Sequence, residues 1–373
     1  MVGANAGDTV AAAWESTDGG PIQIRVRRID DEHDSWGPPV DLGGRGGRSP
    51  SLAVSPDGVV WLVWTEDTRD GPTIRVAHSS PDGWIVGSDW PRDPTDGARV
   101  AVDGAGRPTT VARQRRSHDR ADIVARDPAG DRSFTSDVTD VDEPRLSVAP
   151  DGTAAVAWRR REPQPAVVAT VRDPDGKWHT ATVIAVTATA DVAVTARSGG
   201  LATVVWVGRS GDASDLVARD FDGTRWATPT GLDRTSAEAQ TGPPDERSIV
   251  IEPLPDGLAA VWPLHTAGGL VLRSATRQAN GAWSQPTTLA GPSSSIRSPS
   301  LVMRPGAVPS VGWDEVDHGL QRVRIAPLDG GLSCRDLSPP NTEASHVRMV
   351  GGGAATAVYA DGRRGEIMAI DLR

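Results

Sequence analysis

The chain has 373 residues and a net charge of −10, a balance that argues against nucleic acid or an anionic membrane as partner. Tryptophan supplies 13 of the few aromatics, and 41 glycines and 30 prolines are scattered as turn punctuation, which points to many short strands. Cys334 is the single cysteine, so an intrachain disulfide framework and a cysteine metal cluster are both excluded.

The chain opens MVGANAGD, which does not read as a signal peptide. Residues 1–14 align without gaps on residues 51–64, so the first unit begins inside a strand. Two readings of Met1 stay open: a natural start, or a cut from a longer protein with a closing strand or another domain upstream. The first unit closes its second strand at Trp14, continues into a third strand over 22–27, and reaches a worn turn ending at Trp36. The tract GGRGGR (43–48) superficially resembles a phosphate loop, but it lacks the lysine and falls between units, where a connector is the simpler reading.

The second unit shows the pattern plainly. PSLAVSPDGVVWLVW (50–64) is an apolar strand, a Pro-Asp-Gly turn, and a second strand ending in Trp64. A third strand over 73–78 and the turn SSPDGW (79–84) complete it. The fourth unit repeats this as PRLSVAPDGTAAVAW (144–158), with a third strand over 166–172 and RDPDGKW ending at Trp178. RDFDGTRW (219–226) and RQANGAW (277–283) close the fifth and sixth third strands. The stretch 180–196 is the most apolar in the chain, yet Asp191 and its threonines make it two strands and a connector.

The position closing each second strand recurs as Trp14, Trp64, Arg113, Trp158, Trp206, Trp262, Trp313 and Tyr359. It returns with a period of roughly 49 residues, the mark of a repeat architecture. A glycine precedes each one, where a tight turn needs positive φ. Strand, turn, strand, loop, strand, turn, strand is one propeller blade. The expected fold is therefore all-β: one domain over residues 1–373, a β-propeller of about eight four-stranded blades, with seven as the alternative and the last blade incomplete.

The second turn resembles the Asp-box of the sialidase-type propellers, Ser-x-Asp-x-Gly-x-Thr-Trp. Asp175, Gly176 and Trp178 match it, as do Asp222, Gly223 and Trp226. The resemblance implies a structural turn joining third and fourth strands, on the face away from the family's active site. The family's Phe-Arg-Ile-Pro motif is absent, and the sole tyrosine, Tyr359, holds a blade-core position. The resemblance thus implies the fold without the sialidase chemistry.

Tryptophans at fixed spacing read as packing. Trp61 and Trp90 depart from the repeat, so either could instead be a stacking platform. The Asp-Gly turns at Asp173 and Asp220 lack the oxygens of a calcium loop. No metal site and no cofactor is expected.

Loops after the blade tryptophan vary most, and divergent loops on a repeated scaffold are where recognition sits. Arg113, Arg115 and Arg116 in one unit and Arg159, Arg160 and Arg161 in the next would line one sector suited to carboxylate, sulfate or phosphate. Glu15, Glu66 and Asp67, then Asp314, Glu315 and Asp317, would form an acidic sector, with His118, His265 and His318 in the same loops. Ligand-binding candidates are therefore these six arginines, Glu66 and Trp61; catalytic candidates are Asp314, Glu315, His265 and His318. Three functions are weighed: a module binding a glycan or a protein, a glycosidase- or lyase-type enzyme with an arginine clamp, and a structural assembly module. The expected protein is a monomer of bacterial type, with an extracellular location favoured.

Overall fold

The computed structural model describes residues 2–6, 9–16, 23–30, 35–42, 47–87, 95–117, 120–134, 140–187, 189–210, 213–235, 249–266, 268–293, 295–303, 308–317, 320–329, 334–339, 343–350, 355–362 and 366–372. Among them there is no helix, and the strands form eight sheets spanning 2–41, 47–87, 95–133, 140–185, 189–235, 250–293, 295–336 and 344–372. Seven sheets have four or five strands and the last has three. Among the described residues neighbouring strands close in sequence pair antiparallel, as in Gly47–Val54, Val60–Thr68, Gly71–Ser80 and Gly83–Gly87. Such four-stranded meanders repeated along the chain are the blades of a β-propeller.

The chain divides into two compact units. One comprises Met1–Ala188, Val194–Val204 and Asp220–Ala227; the other comprises Thr189–Ala193, Val205–Arg219 and Thr228–Arg373.

In the fourth sheet the second and third strands are buried on both faces through the core, so they read as continuous apolar runs rather than alternating ones. Ala166–Arg172 is buried at every position. The closing tryptophans pack against the preceding sheet: Trp64 with Ala11 and Ala13, Trp158 with Val111, Ile123 and Ala125. Small alanines on one sheet leave the depth that an indole fills on the next.

The turns are equally regular. Ala149 N–H donates to Thr153 O and Gly152 N–H to Ala149 O, and the second turn repeats this with Asp173, Lys177 and Gly176. Gly152 and Gly176 sit at φ 92° and 90°, where a side chain would be strained. At Asp222 the carboxylate takes N–H bonds from Arg225 and Thr224 and the Thr224 hydroxyl, which hold its pKa down to about 2. Such local bonding is the role expected of these aspartates.

In the second unit the same logic places Trp262 against Ala193, Val205 and Leu216, and Trp313 against Ala259, Val261 and Leu272. Tyr359 takes the core position at 1 % exposure, beside Val323 and Ile325. One hydroxyl device recurs in both units. Ser51, Ser147 and Ser300 each accept a backbone N–H from the first strand of the next sheet, from Val100, Ala196 and Met349. Each donor lies 49 residues beyond its acceptor, one repeat along.

Candidate functional site

The acidic candidates follow the blade tryptophans and are bonded into the framework. Asp314 and Glu315 are neighbours in Ser310–Asp317, so their side chains leave opposite faces. Asp314 is 5 % exposed and accepts the N–H groups of His346 (2.6 Å) and Val347 (2.9 Å) in the next sheet. His346 is at φ 58°, in a bulge that turns two successive amides toward that carboxylate. Burial raises the Asp314 pKa to about 6, against the lowering effect of those two amides. Glu15 repeats the device, accepting the N–H of Ser49 (φ 54°) at 2.5 Å.

Glu315 accepts Trp313 Nε1 and Arg324 Nη1, both at 3.0 Å. Glu66 occupies the corresponding place in the second sheet and accepts Arg75 Nε. His265 lies in Gly257–Thr266 with its backbone opposite Leu270; its side chain, and all of His318, His118 and Trp90, lie outside the described residues. Trp61 stacks on its cross-strand partner His78, centroids 4.7 Å apart, and packs against Ala53, Val63 and Ile74.

The six arginines fall on two strands, Pro108–Ser117 and Ala154–Glu162. Arg113 donates to Val141 O at 3.1 Å, and Arg116 pairs with Asp122 at 2.8 Å. Asp142 bridges Arg159 and Arg161, each at 2.7 Å. Arg160 donates to Gln164 O, and Arg115 is exposed. The structure thus ties Arg113, Arg116, Arg159, Arg160 and Arg161 to carboxylates or carbonyls.

A different arrangement emerges from the strand register. An arginine stands directly opposite the blade tryptophan in four sheets: Arg25 facing Trp14, Arg75 facing Trp64, Arg273 facing Trp262 and Arg324 facing Trp313. The interval from tryptophan to arginine is the same in all four pairs. In the second and seventh sheets the acid two positions past the tryptophan, Glu66 or Glu315, receives this arginine. In the sixth sheet that place is Leu264, which offers no acceptor. Arg273 reaches instead to Asp233 in the fourth strand of the preceding sheet, Nη1 to Oδ1 2.9 Å and to Oδ2 2.8 Å. Trp262 Nε1 donates to the same carboxylate at 3.2 Å.

That crossing opens a groove of about 610 Å³ between the fifth and sixth sheets, within the second unit. Asp215, Asp233 and Arg234 of the fifth sheet and Arg273 and Gln285 from the sixth line it, together with the exposed Gly231. A Cβ built on Gly231 would meet nothing within 4 Å, so there is open space beside it. The sequence reading passed over these residues; the arginine recurring at a constant interval after the tryptophans was the signal that could have led to Arg273. A second cleft, of about 230 Å³ in the first unit, is lined by Asp103, Arg107, Asp127, Arg172 and Asp175 at the stereotyped turns. Its buried pair, Arg172 and Asp127, is bonded internally at 2.8 Å.

No family model matches the chain, and no curated protein matches it. Among solved structures, an ulvan lyase bound to -[GlcA(1-4)Rha3S]- aligns at TM-score 0.54 and 12 % identity, over 90 % of this chain and 93 % of its own. The β-propeller domain of the Trilobed protease from Pyrococcus furiosus, with an open velcro topology, aligns at 0.49 and 11 %, over 91 % and 98 %. The Hadza microbial sialidase Hz136 aligns at 0.43 and 12 %, over 94 % and 74 %. The likeness to the ulvan lyase is one of fold.

Proposed function

We propose that this chain is a saccharide-recognition propeller without catalytic activity of its own. The observation that carries the reading is the groove beside Gly231, where two carboxylates, two guanidinium groups and the exposed amide of Gln285 converge with apolar neighbours. A concave site that combines apolar surface, here Val217, Pro229 and Pro286, with a few fixed polar groups is the usual form of a small-ligand site. The likeness to an ulvan lyase bound to a saccharide supports a carbohydrate-related reading. Glycosidase or lyase chemistry needs acids that converge on one bond. Asp314 and Glu315 instead leave opposite faces and are spent on backbone and indole donors. We also read the turns ending at Trp178, Trp226 and Trp283 as worn Asp-boxes that hold the fourth strands, in keeping with the isolated bridges Arg172–Trp178, Phe221–Trp226 and Arg277–Trp283.

A broad glycan array, read at low and moderate salt, tests the reading alongside a depolymerisation assay on the same glycans. Binding without chain cleavage is the expected result. Cleavage of a bound glycan would make the chain an enzyme, and silence across the array would turn attention to a protein partner.

A further inference from the structure

Resting on the saccharide-recognition reading, we infer that the groove beside Gly231 takes hydroxyls of a neutral saccharide, not the carboxylate or sulfate of an acidic one. The charges in the groove cancel among themselves. Asp233 is held by both Nη1 contacts of Arg273, and Asp215 Oδ1 lies 3.4 Å from Arg234 Nε. An anion entering here finds no uncompensated cation and meets two carboxylates, so its desolvation would go unrewarded.

The unmet hydrogen-bonding capacity is of mixed sign. Arg273 Nε, a donor, is shielded from solvent and has no hydrogen-bond partner among the described residues, and Asp215 Oδ1, an acceptor, has only the 3.4 Å ion-pair contact with Arg234 and no aligned hydrogen bond. Buried polar atoms of this kind call for a partner. A hydroxyl can donate to a carboxylate and accept from a guanidinium at once, which neither a carboxylate nor a sulfate can do. The two side chains are 28 % and 22 % exposed, so both are reachable from the groove. Pro229 and Pro286 supply flat apolar surface for the C–H face of a sugar ring, and the open space beside Gly231 leaves room for it.

The test titrates the full chain calorimetrically with cellotetraose, maltotetraose and mannotetraose as neutral probes and tetragalacturonate as the acidic one. Gly231→Leu puts a bulky side chain into the groove, and the absence of any neighbour within 4 Å predicts an unchanged melting temperature. Asp215→Ala removes the acceptor while leaving the Trp262–Asp233–Arg273 cluster intact. The expected result is that at least one neutral probe binds, with little salt dependence, and weakens about tenfold or more in both variants, the loss of one buried ligand hydrogen bond being enough for such a change. Tetragalacturonate binding that Gly231→Leu abolishes, with no neutral probe bound, would overturn the inference and leave saccharide recognition standing. Neutral binding unchanged in both variants would do the same. Failure of every probe, acidic and neutral, would remove the recognition reading itself and the inference with it.

Discussion

The carboxylate of Asp314 accepts the backbone N–H of His346 at 2.6 Å, across the boundary between the seventh and eighth sheets. His346 holds φ 58°, and the following amide, Val347, completes the pair at 2.9 Å. A side chain on one sheet thereby fixes a left-handed bulge on the next. Glu15 and Ser49 repeat this between the first two sheets.

This latch has a pH signature. Burial raises the Asp314 pKa to about 6 from 3.8, so the folded chain binds the proton more tightly than the unfolded one. The stabilisation is complete below the unfolded value and is lost as pH rises from about 4 through about 6, after which it stays lost. Its size is on the order of 3 kcal/mol for a rise of that extent. Burial lowers the His346 pKa to about 4, which gives an opposite trend over the same range, so the decline is read from the difference between denaturant melts of wild type and Asp314→Asn across pH 3.5–7.5. Parallel curves would mean that Asp314 does not titrate in that window.

Asp127 carries the opposite sign. Burial pushes its pKa up, but hydrogen bonds from Arg172 and Trp178 outweigh this and hold it below the ordinary value. Its contribution is present above the unfolded pKa and lost as pH falls through the folded one. Asp127→Ala should cost about 3–5 kcal/mol, because Arg172, 6 % exposed, would be left charged and unpaired. Asp131→Ala breaks an exposed pair with Arg126 and should cost about 0–1 kcal/mol. Equal losses in the two urea titrations would refute the distinction.

Trp158 is 1 % exposed and sits in the cluster of Val111, Ile123, Val156 and Trp178. Trp158→Ala should destabilise the first unit by about 3–5 kcal/mol. A melting temperature within a degree of wild type would argue against a core role.

Arg159 is paired with Asp142, and Arg160 with a carbonyl. With the site in the groove beside Gly231, Arg159→Ala combined with Arg160→Ala should leave saccharide affinity within about twofold and cost under about 1 kcal/mol each in stability. Loss of binding in that double variant would return the site to the loops after the blade tryptophans.

The recurrence of Trp14, Trp64, Trp158, Trp206, Trp262 and Trp313 determined the blades by itself. A core indole returning at a near-constant interval, each time preceded by a glycine turn, leaves one four-stranded meander per interval. The sequence also held the arginine opposite four of these tryptophans, because an antiparallel hairpin of constant length puts the same later position across from the indole. Sequence could not say which acceptor each arginine would choose. Arg75 and Arg324 find an acid on their own sheet, whereas Arg273, with Leu264 where that acid would stand, crosses to Asp233 on the preceding one. Nor could it show that Asp314 and Glu315, read from sequence as loop acids, are both buried in one strand and bonded from its opposite faces. Periodicity is local and survives in the sequence; the pairing of charges depends on which sheet edges meet, and tertiary structure alone decides that.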